Sequence, residues 1–233
     1  MNVIITGATK GIGRAITEIF AAEGFNLFIC SRTQADLDLL ATELTSKYTN
    51  IQVHVKTADI SKKAEVLTFA DFIASHTDKI DILINNAGVF KPGKITEEED
   101  NMLESQIETN LYSAYHLTRA VLPLIRNNGK GHIFNMCSVA SIMAYPNGGS
   151  YSISKFAMLG FSKVLREELK HTHIKVTALL PGITWSHAWA GADLPQDRLM
   201  QPADIAKTIL AAYHLSDSAV VEEIILRPQL GEL

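Results

Sequence analysis

A tyrosine and a lysine four residues apart, Tyr151 and Lys155, are the side chains of this sequence that point most directly to chemistry. Residues four apart lie on one face of an α-helix, so both side chains can address one ligand. A solvated tyrosine, with a pKa of about 10, is a poor acid at neutral pH, but a nearby cation favours its ionised form. We therefore expect Lys155 to lower the pKa of Tyr151 and the pair to donate a proton. The alternative is a half-buried aromatic ring followed by a surface lysine.

A glycine-rich turn follows the first apolar run of the chain and precedes a helical pattern over residues 14–23. Glycines let the backbone pass close to a pyrophosphate, and a helix N-terminus offers it unpaired N–H groups. The turn therefore predicts a site for a cofactor phosphate. Its spacing, GxxxGxG, departs from the GxGxxG fingerprint, so an ordinary strand-to-helix connection is the alternative. The turn reads Thr6-Gly7-Ala8-Thr9-Lys10-Gly11-Ile12-Gly13.

Seven short runs rich in Val and Ile alternate with longer amphipathic stretches, and they are typical of strands buried on both faces of a parallel sheet. The runs are residues 3–5, 27–30, 51–55, 80–84, 132–137, 175–180 and 222–226. This alternation predicts an α/β fold: a Rossmann-like, doubly wound parallel sheet of about seven strands with helices on both faces. Ligands of such a sheet gather beyond the carboxyl ends of its strands.

The 233 residues predict one domain, because α/β chains of this length are routinely a single domain. We expect that domain to cover residues 1–233, with a short lid over the substrate at about 183–202. Both tryptophans, Trp185 and Trp189, fall in this irregular stretch. They either anchor the lid or stack on a flat substrate.

Composition excludes several classes of protein. Hydrophobic residues make up 47% of the chain, which is no disorder signature, and the net charge of −4 predicts no nucleic-acid partner. No apolar run approaches the roughly 20 residues that span a bilayer, and the first residues do not resemble a signal peptide. Cys30 and Cys137, the two cysteines, lie in apolar runs. We therefore expect a soluble cytoplasmic protein with reduced, buried thiols and no membrane partner.

Other local patterns predict helix starts rather than ligand sites. Thr33-x-x-Asp36 and Thr96-x-x-Glu99 have the spacing of capping boxes, and the acidic run 97–100 suits the solvated first turn of a helix. His171 and His173 have the spacing of a metal pair, but no third ligand is near them in sequence. We expect these histidines in a loop and no metal site.

Three further motifs complete a pattern with the glycine turn. Asn85-Asn86-Ala87-Gly88 follows the fourth predicted strand, Ser138 follows the fifth, and Pro181-Gly182 follows the sixth. TGATKGIG and the YSISK segment of Tyr151 and Lys155 complete the set. Because of these motifs, in this order and spacing, the chain resembles the short-chain dehydrogenase/reductase family over nearly its whole length.

The resemblance implies an enzyme that reduces a carbonyl group to an alcohol. In that family pattern Tyr151 would protonate the carbonyl oxygen as hydride arrives from a nicotinamide, and Ser138 would hydrogen-bond the same oxygen. Lys155 would also hold the nicotinamide ribose, and Asn110 would keep a water beside the lysine as a proton path. General acid catalysis would thus act beside a cofactor that carries the hydride.

The resemblance also implies the remaining cofactor contacts. Asp59 and Ile60 match the pair that embraces the adenine, although a strand-end cap is the alternative for them. Pro181, Gly182 and Ile183 match the backbone segment that holds the carboxamide, and Ser186 stands where a threonine is usual. The expected contacts are Gly7, Thr9, Lys10, Gly11, Ile12, Gly13, Ser31, Arg32, Asp59, Ile60, Asn86, Ala87, Gly88, Tyr151, Lys155, Pro181, Gly182, Ile183 and Ser186.

The end of the second predicted strand indicates which dinucleotide is used. NAD-binding Rossmann proteins place an acid there for the ribose 2′-hydroxyl, whereas a 2′-phosphate needs cations. Here the strand ends Cys30-Ser31-Arg32, the next acid is Asp36, and Lys10 adds a second cation. The sequence therefore predicts NADPH as the cofactor, with solvated surface cations as the alternative.

The resemblance implies a small molecule with a carbonyl group as the substrate. The sequence says less about which carbonyl compound it is than about the cofactor. The segment 220–228 lacks the glycine-rich ending usual in 3-oxoacyl-carrier-protein reductases and looks more like the bacterial sepiapterin-reductase-like branch. A 3-oxoacyl reductase and a non-catalytic NADPH sensor remain alternatives.

The resemblance also implies a homodimer or homotetramer in which the helices near residues 101–126 and 150–170 pair across a twofold axis. Five residues at helical spacing suit that contact, although a sheet-facing stripe would account for some of them. They are Leu111, Ala114, Tyr115, Thr118 and Leu122.

Overall fold

The computed structural model describes residues 1–186 and 198–232. In this part of the chain seven parallel strands form one sheet in the order β3-β2-β1-β4-β5-β6-β7. The strands are β1 (Asn2–Thr6), β2 (Asn26–Ser31), β3 (Val53–Thr57), β4 (Ile82–Asn85), β5 (Gly131–Met136), β6 (Ile174–Pro181) and β7 (Glu223–Leu226). All seven predicted strands are present, although β3 and β4 begin two residues later than predicted.

Helices cover the two faces of the sheet, as the alternation predicts. They are α1 (Gly11–Ala22), α2 (Gln34–Lys47), α3 (Lys63–Ala74), α4 (Met102–Ile107), α5 (Ser113–Asn127), α6 (Gly149–Leu169) and α7 (Pro202–Tyr213). A π-helical turn (Glu108–Tyr112) joins α4 to α5, and a short 3-10 turn (Val139–Ser141) follows β5. The predicted Rossmann-like α/β fold is confirmed.

The core has two halves because alternate side chains of each strand point to opposite faces. On one face Ile5, Ile29 and Ile84 pack with the buried sides of α1, α2 and α7. On the other face Ile4 and Leu83 pack with α3, α5 and α6. Burial on both faces explains why the strands read as continuous apolar runs.

The order of the strands reverses between β1 and β4, since β1 pairs with β2 on one side and with β4 on the other. At such a point the connections leave toward opposite faces of the sheet and open a crevice beyond the carboxyl ends of the strands. The glycine turn that follows β1 and the Asn86–Gly88 segment that follows β4 both lie at this crevice.

The two capping-box expectations have different outcomes. Thr33 is the N-cap of α2, but its side chain makes no capping hydrogen bond, so it marks the helix start without closing a box. Thr96 lies in a turn, and the next helix begins only at Met102. The acidic run 97–100 is therefore not the first turn of a helix, and that expectation is wrong.

One member of the acidic run instead caps α6 from outside the helix. The carboxylate of Glu98 accepts hydrogen bonds from Ser150 N at 2.9 Å and from the Ser150 hydroxyl. The backbone amides in the first turn of a helix have no partner within the helix, so an acceptor there stabilises its start. A Cβ at Gly149 would collide with Glu98 Oε1, which explains the glycine at this position. The contact fixes the turn that carries Tyr151.

The base of the predicted lid is a pair of short segments. Trp185 N donates to Met200 O at 2.8 Å, and Met200 N donates to Ile183 O at 3.2 Å. Trp185 is thus anchored through its backbone, whereas Trp189 lies outside the described residues. Among residues 1–186 and 198–232 we find no helix with the length and apolarity that a membrane crossing requires.

The Glu98 cap gives the first testable expectation. Glu98→Ala should lower the free energy of unfolding by about 1 kcal/mol, the usual effect of losing a cap at a helix start. Glu98→Gln keeps an acceptor oxygen and should lose less. Glu99→Ala, an exposed position in the same run, removes the same charge without a capping contact. Urea unfolding of the three variants measures the difference, and equal losses at Glu98→Ala and Glu99→Ala would contradict a specific cap.

Candidate active site

The loops after β1 and β4 lock together at the crevice. Asn86 Nδ2 donates to Thr6 O at 2.9 Å and to Gly7 O at 3.2 Å. In return the Thr6 hydroxyl accepts from the backbone amides of Asn86 and Ala87, at 3.1 and 3.0 Å. Two of these bonds hold carbonyls at the start of the glycine turn and two hold the loop after β4 to Thr6, so the Asn-Asn-Ala-Gly motif supports the turn.

Two glycines of the turn are required by geometry. Gly7 has a φ of +65°, which favours glycine, and a Cβ there would lie 3.1 Å from Ala87. A Cβ at Gly13 would collide with Gly7 O and lie 2.5 Å from Asn86 Nδ2. The two glycines therefore let the turn pack closely against the start of α1 and the loop after β4, which brings it to a helix N-terminus, where a phosphate group can bind.

The ends of β2 and β3 carry the charges expected near an adenosine ribose. Arg32 is exposed directly after β2, whereas Lys10 forms an ion pair with Asp36, Nζ to Oδ2, at 2.9 Å. Lys10 therefore already has an acidic partner, and Arg32 is the better placed cation.

Asp59 lies after β3 and is engaged within its own loop. Its carboxylate accepts from Ser61 N at 3.2 Å and from Ser61 Oγ at 2.8 Å. Burial raises the pKa of Asp59, but these hydrogen bonds and the charges of Lys62 and Arg32 lower it overall. The side chain thus makes loop-capping contacts, while its contact with an adenine stays a prediction.

Lys155 occupies the centre of the site. Its side chain comes from α6, the residue is only 4% exposed, and Nζ donates to Met136 O at the end of β5 at 2.8 Å. Burial lowers the pKa of Lys155 to about 8. A Cβ at Gly88 would lie 3.4 Å from Lys155 Nζ, so this glycine lets the loop after β4 approach the ammonium group.

Tyr151 lies one turn before Lys155, with its ring in edge contact with Phe90 at 4.8 Å between centroids. Burial raises the pKa of Tyr151 to about 12, and a hydrogen bond with Ser138 lowers it only in part. Lys155 Nζ lies 5.8 Å from the ring centroid and is directed to Met136 O. The expectation that Lys155 lowers the pKa of Tyr151 is therefore wrong for the protein without a bound ligand. Desolvation raises this pKa by more than the neighbouring groups lower it.

Ser138 lies two residues after β5 and is buried near Tyr151. Its hydroxyl accepts from Ala140 N at 3.1 Å and approaches Pro181 O at 3.5 Å. The hydroxyl thus lies between the ends of β5 and β6, where it can meet a molecule that contacts Tyr151.

Asn110 lies in the π-helical turn between α4 and α5, a local distortion that often marks functional sites. Its Oδ1 accepts from Val89 N at 2.7 Å, and its Nδ2 donates to Ser154 Oγ at 2.9 Å. Ser154 Oγ in turn donates to Tyr151 O at 2.7 Å. Asn110 therefore joins the loop after β4 to the helix of Tyr151 and Lys155.

The backbone after β6 closes the site opposite α6. Gly182 N donates to Leu226 O at 2.8 Å, and Ile183 N donates to the carboxylate of Glu232 at 2.9 Å. Further along, Ser186 lies close enough to Gly11 that a Cβ there would be 3.7 Å from Ser186 Cβ. The end of this segment, at Ser186, therefore lies beside the glycine turn.

Three side chains near the site were missed in the sequence. Phe90 follows the Asn-Asn-Ala-Gly motif by two residues, and its position could have suggested a contact with the ligand. Glu98 and Glu232 contact residues 52 and 49 positions away, so no local pattern announces them. His171 and His173 are exposed in the connection from α6 to β6, and the described residues hold no group of three potential metal ligands.

Comparison with known proteins places this site in a family. The family model for short chain dehydrogenase matches residues 1–195. A sepiapterin reductase of Chlorobaculum tepidum is 34% identical over 239 residues, covering 99% of this chain and 97% of that protein.

Two solved structures extend the comparison. An alcohol dehydrogenase from the archaeon Thermococcus sibiricus, complexed with 5-hydroxy-NADP, has a TM-score of 0.91 at 25% identity and covers 100% of this chain and 98% of its own. The L-sorbose reductase from Gluconobacter frateurii, complexed with NADPH and L-sorbose, has a TM-score of 0.88 at 25% identity, covering 97% and 94%. The chain belongs to the short-chain dehydrogenase family of oxidoreductases.

Proposed function

We propose that this protein reduces a carbonyl group to a secondary alcohol with NADPH as the hydride donor. The observation that carries the proposal is the group of Ser138, Tyr151 and Lys155, which lies where α6 meets the ends of β5 and β6. Ser138 lies near enough to Tyr151 to lower its pKa in part, and Lys155 lies one helical turn beyond Tyr151. A protein that only bound the cofactor would have no need of this group.

The described residues fit a dinucleotide. Gly7 and Gly13 let the turn pack closely at the N-terminus of α1, where the pyrophosphate would bind. Gly88 lets the loop after β4 pass close to Lys155 and Asn110, since a Cβ there would lie 3.1 Å from Asn110 Oδ1. Ser31 and Arg32 would contact the adenosine ribose, with Asp59 and Ile60 beside the adenine. Thr9, Lys10, Gly11, Ile12, Asn86, Ala87, Pro181, Gly182, Ile183 and Ser186 would supply the remaining contacts. When bound, NADPH supplies the hydride for the reduction.

The chain's own residues would manage the proton. Tyr151 keeps its phenol proton at neutral pH, since burial raises its pKa to about 12, and would donate it to the carbonyl oxygen. Ser138 would hold that oxygen in place with its hydroxyl. Lys155 would hold the nicotinamide ribose and restore the proton of Tyr151. Asn110 would position a water on this path, through the same polar chain that reaches Ser154.

Replacing the acid tests the chemistry. Tyr151→Phe should lower kcat for carbonyl reduction by about a hundredfold or more, the scale of general acid catalysis, while NADPH affinity stays close to that of the wild type. NADPH absorbance followed with a panel of diketones, pteridines and 3-oxoacyl thioesters gives the rates. A variant that keeps most of the wild-type kcat, or a wild type that oxidises NADPH with none of the panel, would contradict the proposal.

The preference for NADPH over NADH is proposed from the charges after β2. No acid lies at that strand end, and Asp36 is paired with Lys10, so its charge is partly neutralised. Arg32 is exposed and can form a bidentate contact with a 2′-phosphate. The two solved structures, complexed with 5-hydroxy-NADP and with NADPH, support the same choice.

Affinity measurements with both nucleotides test this preference. We expect wild type to bind NADPH at least roughly tenfold more tightly than NADH, and Arg32→Ala to lose most of this difference, because a charge-assisted hydrogen bond contributes about 1.5 to 3 kcal/mol. NADH affinity should change little, since NADH has no 2′-phosphate. Arg126→Ala, an exposed cation at the end of α5, is the matched control. Equal affinities of wild type for the two nucleotides would contradict the assignment.

For the substrate we propose a small dicarbonyl or pterin-like molecule, as the similarity to a sepiapterin reductase suggests. Phe90, exposed beside Tyr151, gives the site an apolar wall that suits a flat molecule. The panel of carbonyl compounds separates this substrate class from 3-oxoacyl thioesters.

We also propose that residues 1–233 act as one NADP-binding domain with a lid at about 183–202. The base of this lid is held by the pairing of Thr184 with Met200.

We further propose a homodimer or homotetramer. Ala114 and Thr118 are buried in the chain itself, so they do not contribute to a contact between copies, whereas Tyr115 is exposed. Exposed apolar residues on α6 and in the turn before α5 support the proposed pairing of these helices, because removing apolar surface from water is favourable. They are Tyr112, Ile153, Phe156 and Val164.

A further inference from the structure

The segment that follows β7 folds back onto the candidate active site. Gly231 N donates to Pro228 O at 2.9 Å, and Gly231 has a φ of +82°, a conformation that favours glycine. This turn reverses the chain and brings the next residue, Glu232, against the backbone after β6. A residue near the end of the described chain thus reaches the loop that we assign to the nicotinamide.

The carboxylate of Glu232 makes specific contacts there. Oε2 accepts from Ile183 N at 2.9 Å, and Oε1 accepts from Arg227 Nε at 3.2 Å. A Cβ at Gly182 would collide with Oε1, so glycine is needed for this approach. The pKa of Tyr145, just before α6, is raised first by burial and then by the charge of Glu232.

The backbone groups of Ile183 are not equally free. Ile183 O accepts from Met200 N at 3.2 Å, but a carbonyl oxygen has a second lone pair and can accept again. Ile183 N has one hydrogen to donate, and Glu232 takes it. Any ligand that needs this donor must therefore displace the carboxylate.

We propose that Glu232 is an internal competitor of the nicotinamide carboxamide and thereby sets the affinity for the cofactor. The inference rests on the proposed function, in which Ile183 holds that carboxamide. The glutamate leaves Ile183 N when the nicotinamide end enters and returns when it departs. Its side chain is 24% exposed and its other partner, Arg227, is exposed, so the carboxylate can move into water without being left buried.

The competition predicts that losing Glu232 strengthens cofactor binding. Glu232→Ala should bind NADPH roughly three- to tenfold more tightly than wild type, the range expected for one partly exposed hydrogen bond that no longer has to be broken. Glu232→Gln keeps a neutral acceptor and should show a smaller gain. Glu222→Ala is the matched control, because Glu222 carries the same charge, is exposed and pairs with Arg166 at 3.0 Å.

The experiment is calorimetric titration of the four proteins with NADPH and with 2′-phospho-ADP-ribose, which has the same adenosine end but no nicotinamide. The competition acts only at the carboxamide, so affinity for 2′-phospho-ADP-ribose should be the same in all four. Thermal unfolding verifies that each variant is folded, and the Gln variant serves if the Ala variant is not.

Three results would overturn the inference. Unchanged or weaker NADPH binding by Glu232→Ala would show that the glutamate does not compete. Equal tightening of both ligands, or the same gain in Glu222→Ala, would show a general charge effect. Each of these leaves the proposed function intact. A wild type that fails to bind NADPH would instead remove the proposed function, and the inference with it.

Discussion

A buried ammonium group is the constraint on which the candidate site depends. Lys155 extends from α6 to the end of β5 and donates to Met136 O, in a position almost closed to solvent. Removing a charged amine from water is unfavourable unless polar atoms replace the lost hydration. Met136 O at the end of β5 is such an atom, so the lysine ties α6 to the end of this strand.

The same burial sets the acid–base properties of the site. Burial lowers the pKa of Lys155 to about 8 and raises the pKa of Tyr151 to about 12. Both shifts favour the uncharged form, which is the signature of desolvation rather than of an ion pair. At neutral pH the lysine retains its proton and the phenol remains neutral. The tyrosine is thus protonated and able to donate, but it is a weak acid. Groups around the carbonyl oxygen must therefore stabilise the charge that forms when the proton is transferred.

The fold was predictable because its determinants are local. Val and Ile runs mark the strands, and Gly7 and Gly13 mark a turn that no larger residue fits. The motifs follow successive strands, and parallel strands bring their carboxyl ends to one edge, so the location of the site follows from the order of the elements.

What the sequence did not reveal depends on contacts between distant segments. Glu98 caps α6 from a loop, and Glu232 reaches Ile183 through a turn beyond β7. The direction of the Tyr151 shift was also missed, because the spacing of Tyr151 and Lys155 shows that they share a helix face but not how much water reaches them. Burial is a property of the whole fold, and here it outweighs the neighbouring charge.

The central claim, that a desolvated Lys155 organises the site, is tested most directly by measuring the pKa of that one side chain. The protein can be labelled with ¹³C at lysine Cε, and the Lys155 resonance identified by its absence in Lys155→Met. Titration over neutral to alkaline pH should give a midpoint near 8, the value to which burial lowers this pKa. A midpoint near that of a solvated lysine, about 10.4, would show that water reaches the ammonium group and would contradict the account.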